Sequence, residues 1–393
     1  MPVGNQKNSL YSLALPLLGK RCQWKVTHRY GDSDNDLSRP LSRVLHRHHL
    51  VGGCVQMIRH GQLAECYCTG YATLMPDKPV MTDTVFRTAS IAKMACALLV
   101  MRLQTLGKLD VNEDISALWG EPIRNPYFPD TPITLSALMS HTSGLVDSPL
   151  YFSSFEKAVT TSDLLASRMT YADRKPFEKF QYSNFAAGLI GCLLEKRFGE
   201  SFETMVRREL FEPLSATATF DISVLSVVLV SNSYRVLPAA RMPSFDAVSR
   251  FQFSSPIDCP DPQTHFLLAS GSLFITADGL ARLVLPLMNG GIHDGKVFLN
   301  PESLHQMMTA STAWPEPEVR MRHGMGLLEV DDRSIHPRRL FGHQGFAYGA
   351  VNGVFFDEQG NGFASLNSGA SEARIGHLSC LNRDLIRLCL AGE

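Results

Sequence analysis

No run of eighteen apolar residues occurs in the 393-residue chain, which excludes an ordinary transmembrane helix. Charge of one sign is lacking as well. The 37 Lys and Arg residues stand against 38 Asp and Glu, for a formal net charge of -1, so there is no general basic field for nucleic acid or an anionic membrane. The expected partner is a small molecule. Compositional bias is absent, with 45% hydrophobic and 19% charged residues and 29 Gly and 22 Pro, which argues against disorder, collagen-like repeats and long coiled coils. No internal repeat or low-complexity tract is present. There is no Gly-x-Ser-x-Gly elbow and no His-Glu-x-x-His pair, which speaks against an α/β-hydrolase and a zinc metallohydrolase.

The length exceeds what one ordinary core organises, so the chain is expected to form one large domain with an insertion or two packed domains. Its nine cysteines are scattered, mostly within apolar runs such as Lys93-Met94-Ala95-Cys96-Ala97-Leu98, and read as reduced, buried thiols. Cys66 and Cys68 share one side of an expected strand, but no second pair with zinc-finger spacing accompanies them, so no metal site is assigned. His46, His48 and His49 read as solvated residues of a surface helix. Leu10 to Gly19 is short, interrupted by Pro16 and not followed by a small-residue cleavage pattern, so it is not read as a signal peptide. A cytoplasmic location is expected.

Residues 1–40 read as an N-terminal extension containing a polar stretch, Gly31 to Pro40. Leu41 to Leu50 has helical spacing, and Gly53 to Ile58 with Leu63 to Tyr71, split by His60-Gly61, reads as a hairpin. Ser90 opens a stretch that is apolar nearly all round and ends at Gly107, which predicts a helix buried between layers. Residues 108–255 form a mosaic of short helical stretches, including Leu135 to Met139, Leu189 to Phe198 and Phe202 to Leu210, and Pro-rich loops. They are expected to be an inserted, mainly helical domain. Strand signals return at Gly326 to Val330, Arg339 to Gly342, Ala350 to Phe356 and Gly362 to Asn367, before a closing helix from about Ser371 to Leu390. The expected fold is therefore α+β: an antiparallel sheet from 41–107 and 256–393, flanked by helices and carrying a helical lobe.

The i, i+3 spacing in Ser90-Ile91-Ala92-Lys93 places the amine one helical turn from the hydroxyl, where a desolvated lysine can accept the serine proton. A serine at a helix N-terminus also has its own N–H free for a developing oxyanion. The competing reading makes Ser90 an N-cap and Lys93 an ordinary solvated residue. A second Ser-x-x-Lys, Ser154 to Lys157, lies in polar, loop-like surroundings and is discounted. Tyr182-Ser183-Asn184 precedes an apolar helical run, so Tyr182 can relay protons and Asn184 can contact a substrate carbonyl and accept from Lys93; alternatively they are a core tyrosine and a cap. His343-Gln344-Gly345 follows a strand, where glycine permits close backbone approach and the Phe346 N–H can supply a second oxyanion donor. His293-Asp294-Gly295 reads as a turn, and His141-Thr142-Ser143-Gly144 as a helix end and turn.

These elements, in this order, resemble the serine β-lactamase and penicillin-binding-protein superfamily, in its class C-like branch of β-lactamases, D-alanyl-D-alanine carboxypeptidases, D-aminopeptidases and esterases. Phe86 to Lys93, Leu106 to Asp110, Ile133 to Leu145, Phe180 to Asn184 and Gly271 to Ala281 all look like that branch, and the likeness runs from about residue 41 to the C-terminus. The resemblance implies Ser90 as the acylated nucleophile, Lys93 as its base, Tyr182 as a proton carrier, Asn184 as a substrate contact, and His343 with Gly345 as the third element, whose run His343, Gln344, Gly345 and Phe346 is expected to bind substrate. It implies no cofactor. His343 and Gln344 stand where β-lactamases of the branch carry Lys-Thr, and this pair binds an anion less strongly than a fixed lysine, which disfavours efficient β-lactam hydrolysis. The expected activity is hydrolysis of an ester, amide or β-lactam through an acyl-enzyme, with a D-amino-acid peptidase or amidase, a DD-carboxypeptidase-like enzyme, or a non-turnover penicillin-binding or scaffold protein as alternatives. No dedicated deacylation base is evident.

Overall fold

The computed structural model describes residues 25–31, 36–226, 228–237, 240–245, 255–310, 312–313 and 318–391. The Leu10 to Gly19 segment and Cys22 lie outside the described residues. A ten-stranded antiparallel sheet is built from β1 (Val26–Tyr30), β2 (Gly52–Arg59), β3 (Gln62–Leu74), β4 (Asp77–Pro79), β5 (Thr312–Ala313), β6 (Met321–His323), β7 (Leu328–Val330), β8 (Leu340–Ala347), β9 (Ala350–Phe356) and β10 (Gly362–Asn367). Its order is β1-β3-β2-β10-β9-β8-β7-β6-β5, with β4 pairing β3. The two ends of the chain thus meet where β2 pairs β10, Gly53 to Ile58 against Asn367 to Gly362. The fold is α+β, as its composition of elements predicts.

Helices cover both faces of the sheet, because alternate residues of each strand point to opposite sides. Val55, Met57 and Tyr67 belong to one core with Leu41 and Leu45 of α1 (Ser38–Arg47) and Leu381 and Leu385 of the closing helix. Cys54, Ile58 and Cys68 join a larger core with α2 (Ile91–Thr105) and the later helices. Twelve of the fifteen residues of α2 are buried, so a helix without an apolar stripe is accommodated by being enclosed on all sides. Further along come α3 (Leu135–Met139), α4 (Asn184–Phe198), α5 (Ala277–Met288) and α6 (Cys380–Cys389). A β-carbon on Gly188 of α4 would lie 1.7 Å from the Phe266 carbonyl oxygen, so glycine there lets the helix backbone meet the adjoining segment.

Several local expectations are revised. The closing helix begins at Cys380 rather than Ser371, because Gln344 of β8 accepts from Ser379 N and donates to the His377 carbonyl, drawing 374–379 into a short hairpin with Gly376 at φ +55°. His48 and His49 are buried, and His48 Nε2 lies 2.9 Å from Asp384 of α6; only His46 of the trio is exposed. Cys259 is exposed and Cys380 half-buried, whereas the other described cysteines are buried as expected. The 108–255 segment contains strand pairs as well as helices, and Tyr234 N donates to the Ser368 carbonyl beside the main sheet. No helix among the described residues is long and apolar enough to cross a membrane.

Candidate active site

The chain enters α2 through Phe86–Arg87, a short strand paired with Phe274–Ile275, and through Ala89 at φ +56°. A non-glycine residue in the left-handed region is held there only by its surroundings. Thr88 N donates to the Leu273 carbonyl and the Asn352 amide donates to the Arg87 carbonyl, so the turn is fixed from both flanks. Ser90 follows at the N-terminus of α2, and its hydroxyl makes no capping bond to the helix. The N-cap alternative for its side chain therefore fails.

Lys93, only 4% exposed, points back at that hydroxyl. Its Nζ lies 3.3 Å from Ser90 Oγ, 2.9 Å from Asn184 Oδ1 and 2.5 Å from the Ser270 carbonyl oxygen. The Lys93 amine also lies 5.1 Å from the centre of the Tyr182 ring. Ser90, Lys93, Asn184 and Tyr182, separated by up to 94 residues in sequence, thus meet at one point.

Asp147, which no pattern in the sequence singled out, organises the entry to α4. Its carboxylate accepts from the Asn184 side-chain amide at 2.8 Å, the Ser183 hydroxyl at 3.0 Å and Phe185 N at 2.9 Å. Since a carboxylate only accepts, it fixes the amide so that Oδ1 faces Lys93. Ser183 in turn caps α4 through Ala186 N. Replacing Asp147 by alanine leaves these donors without their acceptor, and is expected to lower stability by roughly 2–4 kcal/mol, which denaturant unfolding measures.

His141, expected as part of a turn, does take φ +56° after α3, but its buried ring lies 4.3 Å from that of Tyr182 and its Nδ1 accepts from Ser183 N. It is followed by His323 at 4.9 Å, which is itself 6.0 Å from His343. Burial is the main force pushing all three imidazoles down, with a smaller contribution from Lys93, and for His141 and His343 also from His323: His141 lies well below its ordinary value, His323 is lowered to about 4 and His343 to about 3. His323 and His343 each donate Nδ1–H to a neighbouring carbonyl, of Gly324 and Gln344 respectively. Unfolding frees these rings to protonate near pH 6.5, so the unfolded chain binds more protons between that pH and the folded values, and stability falls as pH drops through this window. Loss on the order of 2 kcal/mol per histidine is expected at pH 5 relative to pH 7.5, seen as a lower midpoint in denaturant titration. Replacing His323 by phenylalanine should flatten the dependence.

The third element lies where expected in the chain, but its side chains divide between two faces. The hairpin β8–β9 turns through Tyr348 and Gly349, pairing Ala347 with Ala350, which makes odd-numbered β8 residues the hydrogen-bonded partners of β9. The N–H groups of Gln344 and Phe346 consequently point to the other flank, which β7 occupies only as far as Gly342. Phe346 N–H therefore faces the open side. A β-carbon on Gly345 would lie 2.0 Å from the Thr88 carbonyl oxygen and 3.2 Å from Ser90 N, so glycine is what lets β8 reach the start of α2.

Two side-chain expectations need correction. Gln344 does not face substrate: it is held by His377, Ser379 and Asn382 on the far face of the sheet, as strand alternation requires. His343 is 2% exposed and is not in the cleft wall. The cleft has a volume of about 810 Å³ and exposes Ser90, Asn184 and Phe346. Tyr151, Phe152 and Phe155 form an aromatic wall, with Arg87 and Arg235 as cations. The decoys are accounted for: Ser154 Oγ donates to the Tyr151 carbonyl at a helix end, and Asp294-Gly295 turns between Ile292–His293 and Lys296–Val297.

A ten-stranded sheet with helices on both faces, and a Ser-x-x-Lys helix opening into a cleft against the sheet, define the β-lactamase/transpeptidase class of fold. The family model described as Beta-lactamase matches residues 37–374, and the chain belongs to that family. It is similar to penicillin-binding protein 4* of Bacillus subtilis (strain 168), 28% identical over 185 residues covering 46% of this chain and 40% of that one. It is also similar to esterase EstB of Burkholderia gladioli, 25% identical over 45% of this chain and 49% of that one. The chain thus matches less than half the length of these curated relatives. Among solved structures, D-amino acid amidase from Ochrobactrum anthropi SV3 complexed with D-phenylalanine shares the fold with TM-score 0.64, at 20% identity over 86% of this chain and 93% of that one.

Proposed function

We propose that the protein is a serine hydrolase that attacks an ester, amide or lactam carbonyl with Ser90 and passes through an acyl-enzyme. The observation that carries this reading is the placement of the Lys93 amine. In its neutral form the amine has two N–H donors and one lone pair; Asn184 Oδ1 and the Ser270 carbonyl take the donors, which leaves the lone pair for the Ser90 hydroxyl at 3.3 Å. Lys93 accepts the hydroxyl proton as Oγ bonds to the carbonyl carbon. The electron pair moves to the carbonyl oxygen, where the N–H groups of Ser90 and Phe346 receive the negative charge. Collapse expels the alcohol or amine, which takes a proton from Lys93 by way of the Tyr182 hydroxyl, and water then releases the acid by the reverse sequence.

The wall of Tyr151, Phe152 and Phe155 favours an apolar or aromatic acyl group. With His343 buried and Gln344 turned away, neither of these side chains of the third element reaches a substrate carboxylate, and Arg87, which packs on the Tyr348 ring, lines the cleft with Arg235. Hydrolysis of short aryl esters and of amides of aromatic D-amino acids is therefore expected to exceed that of β-lactams.

The test is to incubate the protein with a nitrophenyl ester, D-phenylalanine amide, a chromogenic cephalosporin and a fluorescent penicillin, and then to weigh the intact chain. Catalytic release together with an acyl adduct mapped to Ser90 is the expected result. A permanent adduct without turnover identifies a penicillin-binding trap instead, and no reaction by the folded protein leaves only a scaffold.

A further inference from the structure

Away from the cleft, Cys54 of β2 and Cys66 and Cys68 of β3 converge on the inner face of the sheet. All three are buried, and their sulfurs lie within 4.8 Å of one another. Cys54 stands directly opposite Cys68 in the ladder, with the sulfurs 2.8 Å apart. Cys66 and Cys68, two residues apart on one strand, share that face. The sequence alone offered one pair without a partner; the third thiol arrives through strand pairing. On the other side of β3, β1 places His28 opposite Cys68 and Tyr30 opposite Cys66, so both rings belong to the cysteine face at the margin of the sheet. His28 is half-buried.

We propose that Cys54, Cys66 and Cys68 form a binding site for a thiophilic cation, Zn²⁺, with His28 of the adjoining strand as the fourth protein donor. Tetrahedral zinc with bonds of about 2.3 Å to sulfur sets the sulfurs roughly 3.8 Å apart. That value falls between the 2.8 Å of the Cys54–Cys68 pair and the 4.8 Å limit of the cluster, so small rotations bring the three sulfurs to tetrahedral spacing, while the His28 ring, which is not part of that cluster, must swing in from β1 to complete the shell. Hard cations are disfavoured because the cluster offers sulfur rather than the oxygen ligands they require. Zn²⁺ with three thiolates and a neutral imidazole leaves one net negative charge, whereas Cu⁺ leaves two, and burial penalises the larger charge. Binding exchanges three thiol protons for the ion, with no change of oxidation state.

The reduced, chelator-stripped full chain, titrated with Cd²⁺, is expected to develop a thiolate charge-transfer absorption that saturates at one equivalent. Zn²⁺ should abolish that signal by competition, release protons, and raise the Tm by a few degrees at about a hundredfold excess over Kd. Cys68→Ser should lower the absorption per ion by about a third and weaken Zn²⁺ binding by more than the roughly 10–100-fold typical of losing a supporting group. Cys259→Ser, at the exposed cysteine, should leave both unchanged. The proposal is overturned by a folded wild-type chain that takes up neither ion, by a charge-transfer signal in Cys68→Ser with the amplitude and affinity of the wild type, or by a Cys54–Cys68 disulfide in protein prepared without air. The wild-type titration decides the matter even where a cysteine variant does not fold. Metal uptake is read independently of hydrolysis, so its failure is distinct from failure of the Ser90 mechanism.

Discussion

Ser90→Ala is expected to lower kcat on the order of 10⁴–10⁶-fold and to abolish the covalent adduct, while the protein stays folded. The variant deletes the hydroxyl that lies 3.3 Å from the Lys93 amine, and the second Ser-x-x-Lys offers no substitute because its serine is bonded to the Tyr151 carbonyl. Any residual rate should come from the N–H pair and the cleft alone. Stability should change by less than about 1 kcal/mol, since the side chain does not cap α2 and is only half-buried. Initial rates with a nitrophenyl ester, intact mass after exposure to penicillin, and a thermal melt together check this. An adduct or turnover within tenfold of wild type would show that another group is the nucleophile.

Gly345→Ala carries the second large effect. Its added carbon would lie 2.0 Å from a backbone oxygen, where no flexible side chain can give way, so β8 and the Thr88–Ser90 turn must separate. The tether from the Asn352 amide to the Arg87 carbonyl resists that movement, which adds strain at the same place. Crowding of this kind costs roughly 1–3 kcal/mol of stability. Separation also moves the N–H groups of Ser90 and Phe346 apart, and loss of one oxyanion donor is worth about 10²–10³-fold in kcat. Glycine-to-alanine exchange is thus expected to reduce the acylation rate far more than it reduces ground-state binding, which pre-steady-state kinetics separates. A variant with wild-type kcat would show that the close approach of strand and helix has no part in the chemistry.

Elements whose signal is local were legible. The apolar stretch after Ser90 could only be an enclosed helix, and the hairpin around His60-Gly61 followed from alternation and a turn dipeptide. Ser90 and Lys93 were readable as a pair because one helical turn joins them. Tyr182 and Asn184 were recognisable as candidates, but their meeting with Lys93 depends on Asp147 and on the loop after α3, which lie more than thirty residues upstream of them. Asp147 gave no signal, since a single Asp in a loop is compatible with many roles until its three donors are seen.

Other misreadings share one cause. Gln344 looked like a substrate contact because it sits between two residues of a motif, yet strand alternation sends it to the far face, where it shapes the start of α6. The histidines at 48 and 49 looked solvated because their helix is polar, but the sheet and α6 close over its end. The sequence by itself determined the α+β class, the buried helix and the pairing of Ser90 with Lys93 as candidates, because those depend on periodicity and on spacing within one helical turn. Only the tertiary structure decided which side chains face the cleft, how Asn184 is oriented, where three imidazoles are kept neutral and where three thiols converge. Those facts depend on strand register and on contacts between distant segments, which are fixed when the core packs and leave no periodic trace along the chain.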